Sequence, residues 1–149
     1  MSELQLRPRI LGIDLGRVRI GVAISDELGL LAHPLETIPA ASGAARRIAE
    51  IVREKKAERV VVGLPRHMNG TVGEGAVEAL AFAKELRALV PCEIVTWDER
   101  LTTSAAHRAL RESGRKTRHT RQVVDQIAAQ MILQGYLDSL PANIVPDVP

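Results

Sequence analysis

The chain predicts one α/β domain, a mixed sheet of five strands flanked by helices, over residues 1–140, followed by a proline-rich tail at 141–149. Three observations carry this. Apolar β-type runs and helical stretches succeed one another in the order βββαβαβαα. The links between the first three runs are too short for crossovers, so those strands form an antiparallel meander. Neither an internal repeat nor a linker divides the 149 residues.

Arg9 to Leu15, Arg19 to Ser25 and Leu30 to Ile38 are the first three strands, joined through Gly16-Arg17-Val18 and Asp26-Glu27-Leu28-Gly29. Ser42 is placed to cap a helix whose stripe is Ile48, Ile51 and Val52 and which ends in the charged run Arg53 to Arg59. Arg59 to Leu64 (RVVVGL) is β-branched and does not alternate, so it suits a strand covered on both faces, and Pro65 stops it. After the Asn69-Gly70 turn, Thr71 and Glu74 fit a capping box for a helix carrying Phe82, Leu86 and Leu89 on one side, closed by Pro91. Glu93 to Trp97 is the fifth strand, Thr102 or Thr103 caps another helix, and Gln122 to Leu140 is the last. The tail from Pro141 has three prolines in nine residues and should add no regular structure.

Composition narrows the function. No apolar run approaches the roughly 20 residues of a membrane span, and the N-terminus lacks a basic-then-apolar leader, so a soluble cytoplasmic protein is expected. One cysteine, Cys92, excludes an intrachain disulfide and a cysteine-rich zinc site. The three aromatics, Phe82, Trp97 and Tyr136, are too scattered to form a platform for stacking single-stranded bases. The net charge of +2 hides a local excess: residues 108–121 hold six Lys/Arg against one acid, whereas residues 1–107 balance and 122–149 are acidic. Arg108, Arg111, Arg115, Lys116, Arg118 and Arg121 therefore form either a polyanion-attracting segment or a solvated helix end.

The acids supply the chemistry. Asp14 falls near the C-terminal end of a strand that should be central, where a carboxylate is costly unless paired, hydrogen-bonded or bound to a metal. Asp98 and Glu99 end the fifth strand. Alternation sends them to opposite faces, so one of the two shares a site with Asp14 if strands one, four and five are neighbours. On the last helix, glutamines at 122, 126, 130 and 134 mark a solvent stripe with Val124, Ala128, Met131 and Gly135 opposite. Asp125 lies on the border of the apolar face beside Ile132, with Arg121 as a local ion-pair partner. Carboxylates without clustered Cys or His favour Mg²⁺ or Mn²⁺, because His33, His67, His107 and His119 lack zinc spacing. Two such ions roughly 3.5 to 4 Å apart activate water on one side of a phosphodiester and stabilise the leaving oxygen on the other.

Four segments in order, Gly12-Ile-Asp14-Leu-Gly16-Arg-Val-Arg19-Ile-Gly21 through Asp26, Val62-Gly-Leu-Pro65 with Met68-Asn-Gly70, Asp98-Glu-Arg100 through Thr103, and Val124-Asp-Gln-Ile-Ala-Ala129 with Ile132-Leu-Gln134, closely resemble the YqgF/RuvX family of Holliday-junction-resolvase-like nucleases. The resemblance implies a ribonuclease H-like fold. It also implies an endonuclease that either processes the 5′ end of pre-16S rRNA in ribosome biogenesis or resolves four-way DNA junctions. The implied catalytic acids are Asp14, Asp98 or Glu99, and Asp125, with Glu99 preferred because related nucleases use Asp, Glu, Asp in that order. Asp14, Glu99 and Asp125 would then ligate Mg²⁺ or Mn²⁺. Leu15 stands where many members carry an aromatic, a difference of packing more than of chemistry.

Arg17, Arg19, Arg66, Asn69, Arg100, Arg115, Lys116 and Arg118 are the candidate nucleic-acid contacts. Arg19 and Arg100 suit either a phosphate clamp or an ion pair with the neighbouring acids. The loop Pro65 to Gly70 lies between a strand end and a helix N-terminus, a position suited to phosphate. Symmetric resolution of a junction would call for a homodimer. Two other readings compete. The hairpin Ile13-Asp14-Leu15-Gly16 is similar to the phosphate loop of actin-like ATPases, but those need a second such domain and the chain has one copy. A non-catalytic binding module of the same fold is the other.

Overall fold

The computed structural model describes residues 6–65, 73–99 and 118–141, the last with side chains from 124 onward. One sheet contains β1 (Arg9–Leu15), β2 (Arg19–Ser25), β3 (Ala32–Pro39), β4 (Ala57–Leu64) and β5 (Glu93–Asp98), in the order β3-β2-β1-β4-β5. β1, β2 and β3 pair antiparallel, while β4 joins β1, and β5 joins β4, in parallel. The helices among the described residues are α1 (Ala44–Lys55), α2 (Glu74–Leu89) and α3 (Arg118–Ser139). The helix expected after Thr102 or Thr103 and most of the C-terminal tail lie outside the described residues.

The sheet separates two apolar layers. Leu11, Ile13, Ile20, Val22, Val60 and Val62 meet α1 and α2 on one face. Ile10, Ala23 and Val61 meet Ala129, Ile132 and Leu133 of α3 on the other. β1 and β4 are thus covered on both sides, which explains their continuous apolar runs.

Several local expectations are corrected. β3 starts at Ala32, not Leu30, because the preceding turn is tied back on itself: the backbone N–H groups of Leu30 and Leu31 donate to Asp26 Oδ1 at 2.8 and 3.2 Å. Burial opposes ionisation of Asp26, but the hydrogen bonds from Leu30, Leu31 and Gly29 outweigh it and hold the carboxyl below its usual range. α1 is entered through Gly43, whose φ of 115° only glycine adopts easily, and Ser42 makes no capping bond. α2 is entered through Gly73, again with no side-chain cap, so Glu74 opens the helix instead of closing a capping box. α2 packs through Ala76, Ala79, Ala83 and Leu86, and Leu89 is exposed.

Of the glutamine stripe expected to face solvent, Gln126, Gln130 and Gln134 instead face β3, and the side chain of Gln122 lies outside the described residues. Gln130 Nε2 donates to Ala32 O at 2.9 Å, Ala32 N donates to Gln134 Oε1 at 2.9 Å, and Gln134 Nε2 donates to Leu30 O at 2.9 Å. Gln126 Nε2 donates to Thr37 Oγ1 at 3.1 Å. β3 is a sheet edge, and its unpaired backbone groups need both donors and acceptors, which a primary amide supplies together. Turning this flank to β3 centres the buried face of α3 on Ala129, Ile132 and Leu133, which are fully buried.

β3 is also tied to α1. Arg47 Nε and Nη2 donate to the two carboxylate oxygens of Glu36 at 2.9 and 2.8 Å. Those hydrogen bonds outweigh partial burial and hold the Glu36 carboxyl below the usual glutamate range. A carboxyl whose folded value is depressed stabilises fully above its unfolded value and loses that contribution as pH falls through the folded one. Glu36→Gln is therefore expected to lower Tm near neutral pH, with the gap from wild type closing as the pH is taken below about 4. Parallel thermal melts across that range check it, and a gap that persists in acid contradicts it.

Candidate functional site

Strand alternation assigns each acid to a face. Ile10 points toward α3, so Asp14, four residues on, does too, and it is 2% exposed at the C-terminal end of β1. On β5, Val95 and Trp97 pack in the α3 layer, which sends Asp98 to the α1/α2 side. Glu99 returns to the α3 side: a methyl built on Gly63 would meet its Oε2 at 3.1 Å. Gly63 is level with Trp97 and lies one step beyond the Ile13–Val62 pair, so it neighbours Asp14.

Asp125 is brought in by close helix approach. Asp14 is paired across the sheet with Gly21, and the backbone carbonyl of Asp125 occupies the space that a Gly21 side chain would fill. Asp14, Glu99 and Asp125 thus gather on the α3 side at the carboxyl ends of β1, β4 and β5, the edge where sites form in open α/β sheets. Asp98 is not among them.

Asp125 has an ion-pair partner from a distant part of the chain. Arg19 Nε, on β2, donates to Asp125 Oδ2 at 2.6 Å, and both side chains are about four-fifths buried, at 22% and 20% exposure. The side chain of Arg121 lies outside the described residues. The three carboxylates form an all-oxygen donor set, which suits a hard divalent cation better than zinc. Among the described residues no three His, Cys, Asp or Glu side chains stand close enough together to hold an ion as placed.

The other candidates divide in two. Arg17 projects from the β1–β2 turn, 84% exposed and 4.0 Å from Glu74 at the start of α2, a contact too exposed to contribute much stability. Arg66, Asn69, Arg100, Arg115 and Lys116 lie outside the described residues, and Arg118 opens α3 with its side chain not described. The aromatics are engaged elsewhere. Trp97 and Tyr136 meet edge to face with centroids 5.9 Å apart, and Phe82 packs against the α1/α2 layer.

The chain has relatives. A family model described as "RuvX: Holliday junction resolvase" matches residues 8–139. The chain belongs to the RuvX family. A Nocardia farcinica protein named "Putative pre-16S rRNA nuclease" is 54% identical over 145 residues, covering 91% of this chain and 81% of that protein. A Bacillus cereus protein of the same name is 45% identical over 135 residues, covering 88% of this chain and 98% of that one. Membership and these relatives make this RuvX-family chain a nuclease, a hydrolase of phosphodiester bonds.

The fold is shared more widely. Thermus thermophilus RuvC bound to a Holliday junction superposes with a TM-score of 0.50 at 18% identity, covering 89% of this chain and 96% of that one. The fowlpox virus Holliday junction resolvase gives 0.50 at 12% identity, covering 89% and 99%. At such identities the likeness is one of fold, and the fold is ribonuclease H-like.

Sequence reasoning offered Arg19 an ion pair with neighbouring acids but did not name Asp125 as the partner, since the pair spans 106 positions and has no local signature. It also missed Gly63 as the notch beneath Glu99. The signal there was a glycine interrupting a β-branched run, which points to close approach by another element. Gly21→Ala is expected to drive α3 off the sheet, because the added methyl meets backbone and not a flexible side chain. The expected cost is about 1–3 kcal/mol of overpacking, with nuclease activity falling in step. Urea unfolding and cleavage rates test this, and unchanged stability would refute the contact.

Proposed function

We propose that the chain is a metal-dependent endonuclease of structured RNA, acting at the 5′ end of pre-16S rRNA. The observation that carries the catalytic part is the gathering of Asp14, Glu99 and Asp125 on one side of the sheet edge. The RNA part is supported by the description shared by relatives at 45% and 54% identity. A four-way DNA junction is the second reading, supported by the description of the matching family model. An rRNA-processing role would place the protein in the cytoplasm.

In this reading Asp14, Glu99 and Asp125 hold Mg²⁺ or Mn²⁺. The ion, when bound, activates water and stabilises the leaving oxygen of the phosphodiester. The chain's own residues do the rest. Burial of Asp14 keeps its carboxylate in a low-dielectric setting where interaction with a cation is strong. Arg17 lies in the β1–β2 turn, Arg66, Asn69 and Arg100 follow β4 and β5 in sequence, and Arg115, Lys116 and Arg118 belong to the basic segment before Asp125, where phosphates would be gathered. Since the two larger aromatics pack against each other, recognition rests on backbone and shape and not on base stacking. One protomer carries one set of acids, so junction resolution would use a homodimer whereas RNA trimming would not require one.

Purified protein with Mg²⁺ or Mn²⁺ should cut a precursor-16S leader faster than a four-way junction in side-by-side assays. Asp14→Asn should lower cleavage by more than about a hundredfold, since loss of even an outer-shell partner of a metal ligand costs 10–100-fold, while substrate binding persists. Full activity in Asp14→Asn would sink the site assignment, and binding without cleavage by wild type would favour the non-catalytic module. Replacing Lys116 and Arg118 together with glutamine should weaken binding and reduce the slope of log K against log salt by about 1.5 to 2. An unchanged slope would show that these two residues do not meet phosphates.

A further inference from the structure

We propose that Arg19 competes with the divalent cation for Asp125, so that capture of Asp125 by the ion releases the guanidinium toward a substrate phosphate. This rests on the metal-dependent reading above and deepens it. Three observations converge. Arg19 Nε holds Asp125 Oδ2 at 2.6 Å, in a pair about four-fifths buried, where a charge-assisted bond is strong. The three acids share one side of the sheet edge but, among the described residues, do not stand close enough together to hold an ion, and the bond from Arg19 fixes where the Asp125 carboxylate points. Finally, Arg19 uses one of its five N–H donors on Asp125, and its Nη groups make no hydrogen bond to the described residues.

The backbone makes this exchange possible. Gly16 N donates to Arg19 O at 3.1 Å, closing the β1–β2 turn and pinning the main chain at Arg19. Asp125 is pinned equally, its carbonyl seated on Gly21. With both backbones fixed, the freedom left is in the side chains. The arginine is long enough to swing from carboxylate to phosphate, and the aspartate is short and turns in place. A cation arriving at Asp125 replaces the positive charge that Arg19 supplied, so the carboxylate is compensated throughout. The guanidinium then becomes a planar donor beside the reacting bond, suited to two oxygens of one phosphate.

The test uses the full chain without nucleic acid. Mg²⁺ is titrated calorimetrically into wild type, Arg19→Gln and Arg19→Lys, and the Arg Nε–H resonances of ¹⁵N-labelled wild type are followed through the same titration. Arg19→Gln should bind Mg²⁺ about tenfold more tightly, the worth of one charge-assisted hydrogen bond to the competing group. Arg19→Lys keeps the charge but not the planar donor, so its Mg²⁺ affinity should fall between those of wild type and Arg19→Gln. The Arg19 Nε–H resonance, protected from exchange by Asp125, should shift and lose protection with the calorimetric midpoint. Equal Mg²⁺ affinity in wild type and Arg19→Gln, or an Nε–H resonance unchanged at saturating Mg²⁺, overturns the proposal. If Arg19→Gln fails to fold by circular dichroism, the wild-type resonance decides alone. A wild type that cleaves with Mg²⁺ while its Arg19 resonance stays put refutes the competition and leaves the nuclease reading intact. Full cleavage by Asp14→Asn refutes the site assignment whatever Arg19 does.

Discussion

The close seating of α3 on the sheet is the contact on which the carboxylate edge depends. Helices ordinarily stand off a sheet by the depth of two layers of side chains. Here Gly21 contributes none, and the backbone of α3 at Asp125 descends into the gap. Because Gly21 is the cross-strand partner of Asp14, this one contact sets an acid of the last helix beside an acid of the first strand, 111 positions earlier in the chain. Gly63 repeats the device on β4, where the space above it admits Ile132 and the carboxylate of Glu99.

A close contact without directional support would let the helix slide. Two features fix its register along the sheet. Ile132 and Leu133 are fully buried, each contributing about 1.5–3 kcal/mol of apolar burial, and that holds α3 down. Gln126, Gln130 and Gln134 hold it in register, because each amide has a fixed partner on β3 and a slide of one helical turn would misalign all of them. Two of the glutamines also occupy the backbone N–H and C=O of Ala32, where the edge strand begins.

Much of this was legible in the chain. Element order, short links and β-branched runs led to the meander and to a mixed five-stranded sheet, because each is a local consequence of hydrophobic period and loop length, whereas the shared carboxyl edge followed only if strands one, four and five were neighbours. Where two readings met at one point, the local pattern was not enough. The glutamines at four-residue spacing looked like a wet stripe because polarity alone does not reveal whether water or a strand edge takes the hydrogen bonds. Their being amides, with neither Lys nor Glu among them, was the clue. Asp125 was matched with Arg121 because i, i+4 pairs are visible in sequence, whereas Arg19 becomes its neighbour only after the sheet and α3 have assembled. The alternation that separates Asp98 from Glu99 was legible, but which of the two faces α3 depended on the register of β5 against β4. The caps were misplaced for a simpler reason: Gly43 and Gly73 enter α1 and α2 through backbone conformation, so no hydroxyl was needed.

Electrostatics connects these parts. A surface that concentrates three carboxylates repels a polyanion, so an enzyme of this kind must separate attraction from ligation. The chain does so along its length. Residues 1–107 are balanced, the positive excess is confined to 108–121, and Asp125 follows four residues later. Attraction by that segment acts over a Debye length of roughly 8 Å at physiological salt, while ligation acts at contact distance, so the two need adjacency and not coincidence. Arg19 is the exception, a cation placed directly among the acids, and its four-fifths burial makes its interaction with Asp125 stronger and less screened by salt than that of any surface arginine. A positive charge in that position lowers the cost of gathering carboxylates at the buried end of a sheet. Under the proposed competition, the hydrogen bond that stabilises the carboxylate edge is also the one an incoming ion would have to displace.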